Sequence, residues 1–208
     1  MLKYIYIVPA LWLSSSASAT QFQPMAFLSS ERQTKFESPK WVIHPERQYQ
    51  AILETTQGDM ILELYPQVAP KTVNSFVFLA LNHFYDGVVF HRVLENFMAQ
   101  TGDPTGTGSG GPGYQFFVEY DSKFNFDKPG VLGMARSQSL YSNGSQFFIT
   151  FVPYASLNGQ YTVFGQLISG LDVLGKIQKV NPSQPDPNVK NVKLDLISKV
   201  TILESVSP

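Results

Sequence analysis

Residues 49–65, YQAILETTQGDMILELY, carry apolar side chains at alternate positions on both sides of Gln57-Gly58-Asp59. Ala51 and Leu53 precede the turn and Met60, Leu62 and Leu64 follow it, with Gly58 supplying the turn itself. Successive residues of a strand point to opposite faces, so this pattern predicts a β-hairpin with one buried face. Asp59 and Glu63 fall on the solvent face, which leaves them as solvated charge rather than a catalytic carboxylate pair.

The same short-strand grammar runs through the rest of the chain. Gly130–Ala135, Ser145–Phe151, Tyr161–Ile168 and Asp195–Glu204 each read as strands. Two helices interrupt them. Pro66–Phe84 has Pro70 placed to open a helix, with Val73, Phe76, Val77, Ala80 and Leu81 on one face. Leu171–Val180 has Leu171, Leu174 and Ile177 at helical spacing, and a Pro/Asn-rich loop follows over Asn181–Asn191. Helices and strands do not alternate in a βαβ rhythm, so an antiparallel barrel or sandwich is favoured over a doubly wound parallel sheet.

With 208 residues, 43% of them hydrophobic, the chain can build one domain of ordinary size with a substantial core. Its net charge of −1 carries no basic stripe of the kind nucleic-acid binders use. Cysteine is absent, which excludes disulfides, thiolate zinc sites and a cysteine nucleophile. Residues 1–19 have one lysine, Lys3, an apolar run over Tyr4–Leu13 and small residues ending Ala17-Ser18-Ala19. This is the layout of a cleaved secretory signal, and the run is shorter than the ~20 residues of a membrane span. Export is therefore expected, most readily to a periplasm, with secretion or an organelle lumen as alternatives. Once the signal is removed, no segment is expected to insert stably in a membrane. Residues 20–48 read either as an extended lead-in, with Trp41-Val42-Ile43 docking on the domain, or as a disordered linker. The domain is assigned to residues 49–206.

Familiar catalytic motifs fail on context. Gly106, Gly108 and Gly111 fit G-x-G-x-x-G, but Pro112-Gly113 blocks the helix that a dinucleotide site requires. The three histidines, His44, His83 and His91, have no i, i+4 partner for zinc, and no G-x-S-x-G elbow is present. Asn143-Gly144-Ser145 matches a glycosylation acceptor. What remains is Phe90–Asp103, FHRVLENFMAQTGD, an alternating stretch holding a single arginine, Arg92.

That stretch, followed in order by GTGSGGPGY, MARSQSLYSNGSQFFI and LNGQYTVFG, resembles the cyclophilin family of peptidyl-prolyl cis–trans isomerases. The resemblance covers roughly Tyr49–Glu204, and the MARSQ and glycine-loop stretches look most like the bacterial and organellar branches. It implies a closed eight-stranded antiparallel β-barrel capped by two α-helices, action on proline-containing polypeptides, no metal or other cofactor, and a monomer. Carried over by position, it implies Arg92 as the catalytic arginine and Gln100 as the glutamine that holds substrate backbone. Phe97, Met98, Phe148 and Leu157 would line the proline pocket. Ala135 and Ser137 would run along the bound peptide, Gln146 would sit at the pocket edge, and His91 beside the arginine. Two positions depart from the pattern. Ser156 stands where many members have tryptophan, so weak cyclosporin binding is expected. Tyr161 replaces a histidine and still offers a flat wall.

The implied chemistry is physically coherent. Rotation about an X–Pro bond meets a barrier of about 18–20 kcal/mol because amide resonance is lost. The twisted nitrogen is pyramidal and basic, so a fixed cation that donates to it stabilises the twisted state above either planar one. Arginine remains charged and its planar fork can be held by a neighbour such as Gln100. Each residue also has a plain reading: the four apolar residues as core, Arg92 as a strand residue paired with an acid, His91 as structural, Gln100 and Gln146 as surface amides. Two rival roles stand beside the enzyme: a module that docks proline-containing partners without turnover, and a structural part of an envelope assembly.

Overall fold

The computed structural model describes residues 20–184 and 193–206. The signal-peptide reading of residues 1–19, and most of the loop expected over 181–191, lie outside the described residues. Twelve strands are formed: β1 (Phe22–Pro24), β2 (Tyr49–Thr55), β3 (Gly58–Leu64), β4 (Val88–Val89), β5 (Arg92–Leu94), β6 (Met98–Thr101), β7 (Phe116–Phe117), β8 (Val131–Met134), β9 (Tyr141–Asn143), β10 (Phe147–Thr150), β11 (Val163–Ser169) and β12 (Leu196–Ser205). Two helices, α1 (Pro70–Leu81) and α2 (Leu171–Lys176), and a short 3₁₀ turn at Ala155–Leu157 complete the elements among the described residues.

The hairpin forms with Thr55 opposite Gly58, Leu53 opposite Met60 and Ala51 opposite Leu62, and these four alternating apolar side chains are fully buried. Ten strands join one sheet in the order β1-β12-β2-β3-β11-β8-β10-β6-β5, with β4 also on β12 and every pairing antiparallel. This corrects the closed eight-stranded barrel. The ladder is an open path whose ends, β1 and β5, do not pair with each other. The physical break lies in Val88–Leu94. Its first two residues pair with β12 and its last three with β6, while Phe90 and His91 bury their side chains between them outside any ladder. A separate two-stranded ribbon pairs β7 with β9.

The alternating stretch Phe90–Asp103 is itself a hairpin. Asn96 takes a left-handed conformation at φ 57°, so the chain reverses at Glu95–Phe97 and sets Arg92 directly opposite Gln100. Helix α2 ends four residues before the expected Val180. Ile177 is already extended, and the Gln178 N–H donates to the Asp195 carboxylate at 2.7 Å instead of continuing the helix.

Helix α1 closes one end of the sheet. Phe76 meets Tyr85, Phe147 and Phe164 with ring centroids 5.1, 5.4 and 5.6 Å apart, which ties the helix to the centre of the core. Every residue from Thr72 to Leu81 is buried, so the helix is covered on its second face as well. The cover is residues 20–48. The strand β1 adds to β12, Leu28 and Gln33 donate backbone N–H groups to Leu81 and Asn82, and Phe36 packs edge-on to Phe78. Asn74 closes the clasp by accepting from the Val42 N–H and donating to the Lys40 carbonyl. Ile43 is buried in the core whereas Trp41 stays exposed.

The first turn of α1 has no cap from its own N-cap residue, Ala69. Glu119 supplies one from a distant loop: its carboxylate accepts from the Lys71 and Thr72 N–H groups at 3.1 and 2.8 Å and from the Thr72 hydroxyl at 2.7 Å. A carboxylate there satisfies orphan amides and faces the positive end of the helix dipole. Replacing Glu119 by alanine is expected to destabilise the fold by about 1–2 kcal/mol. Urea denaturation, read as a lower midpoint at unchanged slope, checks this.

Candidate active site

Because β5 and β6 pair in register, Arg92 and Gln100 share one side of the hairpin. Arg92 Nη1 donates to Gln100 Oε1 at 3.4 Å, Gln100 Nε2 to Gln146 Oε1 at 2.9 Å, and Gln146 Nε2 to the carbonyls of Gly108 and Gly110 at 3.0 and 2.9 Å. Each amide is thereby oriented by its neighbour, from the cation to the glycine-rich loop. Among the described residues no carboxylate lies within ion-pair distance of Arg92, which removes the reading of it as half of a surface salt bridge. Its guanidinium carbon lies 5.8 Å from the centroid of the Phe97 ring.

On the Phe97 side lies an apolar cluster separate from the main core. Met98, Phe148 and Leu157 are buried in it, with Phe97, Ala135 and Tyr161 packed at its margin. Sequence reasoning missed Phe126, which is fully buried there and stacks on Phe148 at 5.6 Å. Its backbone N–H is held by Asn158 Oδ1 at 2.8 Å, and its carbonyl accepts from Tyr154, another omission, whose ring lies 4.4 Å from that of Phe97. The signal available was the unexplained pair of aromatics in Lys123-Phe124-Asn125-Phe126. Tyr161 stands edge-on to Phe148 at 5.6 Å. Gly133 on β8 is required by this packing, since a Cβ there would drive into the Phe148 ring.

On the Gln100 side opens a hollow of about 730 Å³ that includes Ala135, Ser137 and Gln146. The structure therefore divides the expected residues between two compartments, with Ala135 bordering both and Arg92 between them, beside Phe97 on one side and bonded to Gln100 on the other. Ser137 is exposed, but its N–H is bonded to Ser142 Oγ and its carbonyl accepts from Arg136, so its main chain is already engaged. Ala135 donates its N–H to the Gln146 carbonyl. Ser156 sits exposed in the 3₁₀ turn before Leu157.

His91 points inward. It is 5% exposed, and among the described residues neither ring nitrogen has a hydrogen-bond partner. Burial pushes its pKa below the ordinary value, with Asp103 opposing and Arg92 adding to the shift, so the ring is neutral at physiological pH. Asn143 and Ser145 are also buried, with Asn143 Nδ2 donating to Thr162, so the glycosylation match does not lie on the surface.

The glycine-rich loop, first tested as a phosphate site, is wound around an anion of its own chain. The buried Asp103 carboxylate accepts from the N–H groups of Thr105, Gly108 and Gly110 at 2.7, 2.6 and 3.0 Å and from the Thr105 hydroxyl at 2.8 Å. Successive amides converging on one oxygen pair form an anion nest, and here the nest is filled internally. Among the described residues no group of three or more His, Cys, Asp or Glu is placed to hold a metal ion, and no helix is long and apolar enough to cross a membrane.

Fold and site together define a mainly β domain with a half-buried cation set between an apolar cluster and a polar hollow. The family model for cyclophilin type peptidyl-prolyl cis-trans isomerases matches residues 51–200. Peptidyl-prolyl cis-trans isomerase-like 1 of Gibberella zeae is 43% identical over 146 residues, 69% of this chain and 90% of that one. Its Bos taurus counterpart is 41% identical over 145 residues, 68% and 87% of the two chains. A cyclophilin type isomerase of Cryptosporidium parvum superposes with a TM-score of 0.66 at 34% identity, covering 75% of this chain and 97% of that one. It was also solved in the presence of the dipeptide Ala-Pro, and that structure aligns equally well. The chain belongs to the cyclophilin type peptidyl-prolyl cis-trans isomerase family, and its activity is cis–trans isomerisation of X–Pro bonds in proline-containing polypeptides.

Asp103 generates a pH-dependent stability. Burial alone would raise its pKa, but the hydrogen bonds from Thr105, Gly110 and Gly108 outweigh it and lower the value from 3.8 to about 2. A folded pKa below the unfolded one means the stabilisation is full above pH 3.8 and is lost as pH falls through 2. The amount is about 2 kcal/mol. Asp103→Asn is expected to be less stable at neutral pH and to lose this part of the acid dependence, measured by urea midpoints between about pH 2 and pH 5.

Proposed function

We propose that Arg92 is the catalytic group, donating to the proline nitrogen as the bond twists, while Phe97, Met98, Phe148, Leu157 and Tyr161 hold the proline ring. The observation that carries this reading is a half-buried arginine with no carboxylate partner among the described residues, held beside an apolar cluster by Gln100. A paired arginine would have its charge quenched in both planar and twisted states. An unpaired one offers its full charge to the lone pair that exists only in the twisted state. Gln100 steers the guanidinium and offers its amide to substrate backbone, and Ala135, Ser137 and Gln146 border the path of the peptide. His91, neutral and turned inward, is a packing residue. The solution of a relative in the presence of Ala-Pro supports proline dipeptide recognition for this site too.

The working setting we attach to this enzyme is folding assistance in an exported compartment, most readily a periplasm, by a monomer released after Ala19. The layout of residues 1–19 supports it. Ser156, where the resemblance has tryptophan, leaves cyclosporin without one apolar contact, so inhibition is weak.

Arg92→Ala is expected to lower kcat/KM by about 10²–10³-fold, the usual effect of deleting one transition-state donor. The measurement is a protease-coupled assay on an X–Pro peptide, with circular dichroism confirming the fold. Turnover close to wild type would overturn the assignment. Intact-mass analysis of protein exported from cells is expected to give a chain beginning at Thr20, and retention of residues 1–19 would refute export by cleavage.

A further inference from the structure

The hollow beside Gln100 has one wall that the family region does not supply. Lys35 lies in the arm formed by residues 20–48, ahead of the matched residues 51–200, yet lines this hollow. Its position is fixed by the packing around it. The Phe36 N–H donates to the Pro112 carbonyl at 2.7 Å, Phe36 packs against Phe78 on α1, and Lys35 Nζ donates to the Gly111 carbonyl at 3.1 Å. Gly113 answers from the loop side. It has φ +100°, and a Cβ there would come within 2.6 Å of the Phe36 carbonyl oxygen, so the arm and the loop are in direct backbone contact.

The charge in the hollow is one-sided. Among the described residues its only charged lining residues are Lys35 and Arg136, with no Asp or Glu. Arg136 is pinned, with Nε on the Gln160 carbonyl, Nη1 on that of Ser137 and its guanidinium 4.9 Å above the Tyr161 ring. Neither cation has a carboxylate within ion-pair distance among the described residues. The nearby Asp103 is occupied inside the loop, and Glu37 borders a neighbouring hollow instead.

We propose that Lys35 is a specificity residue: with Arg136 it selects clients carrying an acidic side chain two or three residues from the isomerised proline. This rests on the reading of Arg92 as the centre of the reaction. Arg92 does not line the hollow, whereas Gln100, to which it is bonded, does, so the residue adjoining the proline at Arg92 is not the one that enters it. An extended peptide advances about 3.3–3.6 Å per residue, which brings the second or third neighbour over the hollow. The ammonium is exposed, so the effect is modest and screened by salt.

The test uses the full mature chain and pairs of proline peptides identical except for Glu against Gln at a single position, scanned on both sides of the proline. Wild type is expected to favour Glu by about threefold to fivefold in kcat/KM at low salt, chiefly through KM, at one position two or three residues away. The preference should fall toward unity in about 0.5 M salt. Lys35→Gln should lose most of it, Lys35→Arg should keep it and Lys35→Glu should reverse it, each ratio being taken within one variant. No Glu preference in wild type, or the same preference in Lys35→Gln, overturns the proposal. Fluorescence anisotropy with the same labelled peptides reads the ratio without turnover. An enzyme that discriminates in binding but does not isomerise would refute the catalytic reading while upholding Lys35.

Discussion

The burial of helix α1 on every side from Thr72 to Leu81 is the constraint on which the rest of this molecule depends. A helix lying on a sheet needs cover on one face only. Here the second face is closed by residues 20–48, and the closure is polar as well as apolar. Asn74 is 2% exposed and would be costly to bury unpaired, but the Val42 N–H and the Lys40 carbonyl satisfy it. Phe78 and Leu79 bury on the same helix, each worth about 1.5–3 kcal/mol by transfer from water. The folded unit therefore starts at β1, well before the hairpin that looked like its beginning.

From that clasp the structure reaches the site through backbone contacts rather than through a single strut. The arm lies on the glycine-rich loop at Phe36 and Pro112, the loop is wound on Asp103, and its carbonyls at Gly108 and Gly110 hold Gln146. Gln146 orients Gln100, which orients Arg92. An arginine without a counter-ion keeps much of its hydration by remaining half-exposed, and so avoids the penalty of an isolated buried charge. Its direction is set by neutral amides that leave its charge unquenched.

Much of this was legible in sequence because it obeys local rules. The β2–β3 hairpin follows from alternation about Gly58, and α1 from Pro70 and its apolar stripe. The joint motif match identified the family. What was not legible depends on contacts between distant segments. Nothing in Val88–Leu94 announces that its two ends pair with different strands, and so the open sheet was read as a closed barrel. Glu95-Asn96 did carry a turn signal, outweighed by the alternation around it. Phe78 and Leu79 were the clue to the arm, being large apolar residues off the assigned face of α1. Phe126 became part of the slot only through Asn158, thirty-two positions away. The divided site, slot on one side of Arg92 and hollow on the other, follows from the β5–β6 hairpin and could not precede it.

The two compartments are held by different kinds of structure, and that difference bears on how such an enzyme can change. Arg92 and Gln100 face each other because two strands pair in register, so their separation is set by backbone hydrogen bonds that tolerate little variation. Phe148 is likewise fixed by β10 against Gly133 of β8. The hollow is walled mostly by loop residues, with Gln100 of β6 and Tyr141 and Ser142 of β9, and by Lys35 from an arm that contributes three residues to the sheet. Loops accept substitution more readily than ladders do. On the proposed reading, rotation about the X–Pro bond needs the same donor and the same apolar residues whatever flanks the proline, so the invariant demand falls on the ladder. Discrimination between clients needs only a change of charge or shape a few residues away, and that falls on the arm. A cation at position 35 can therefore bias the choice of client without entering the step it serves.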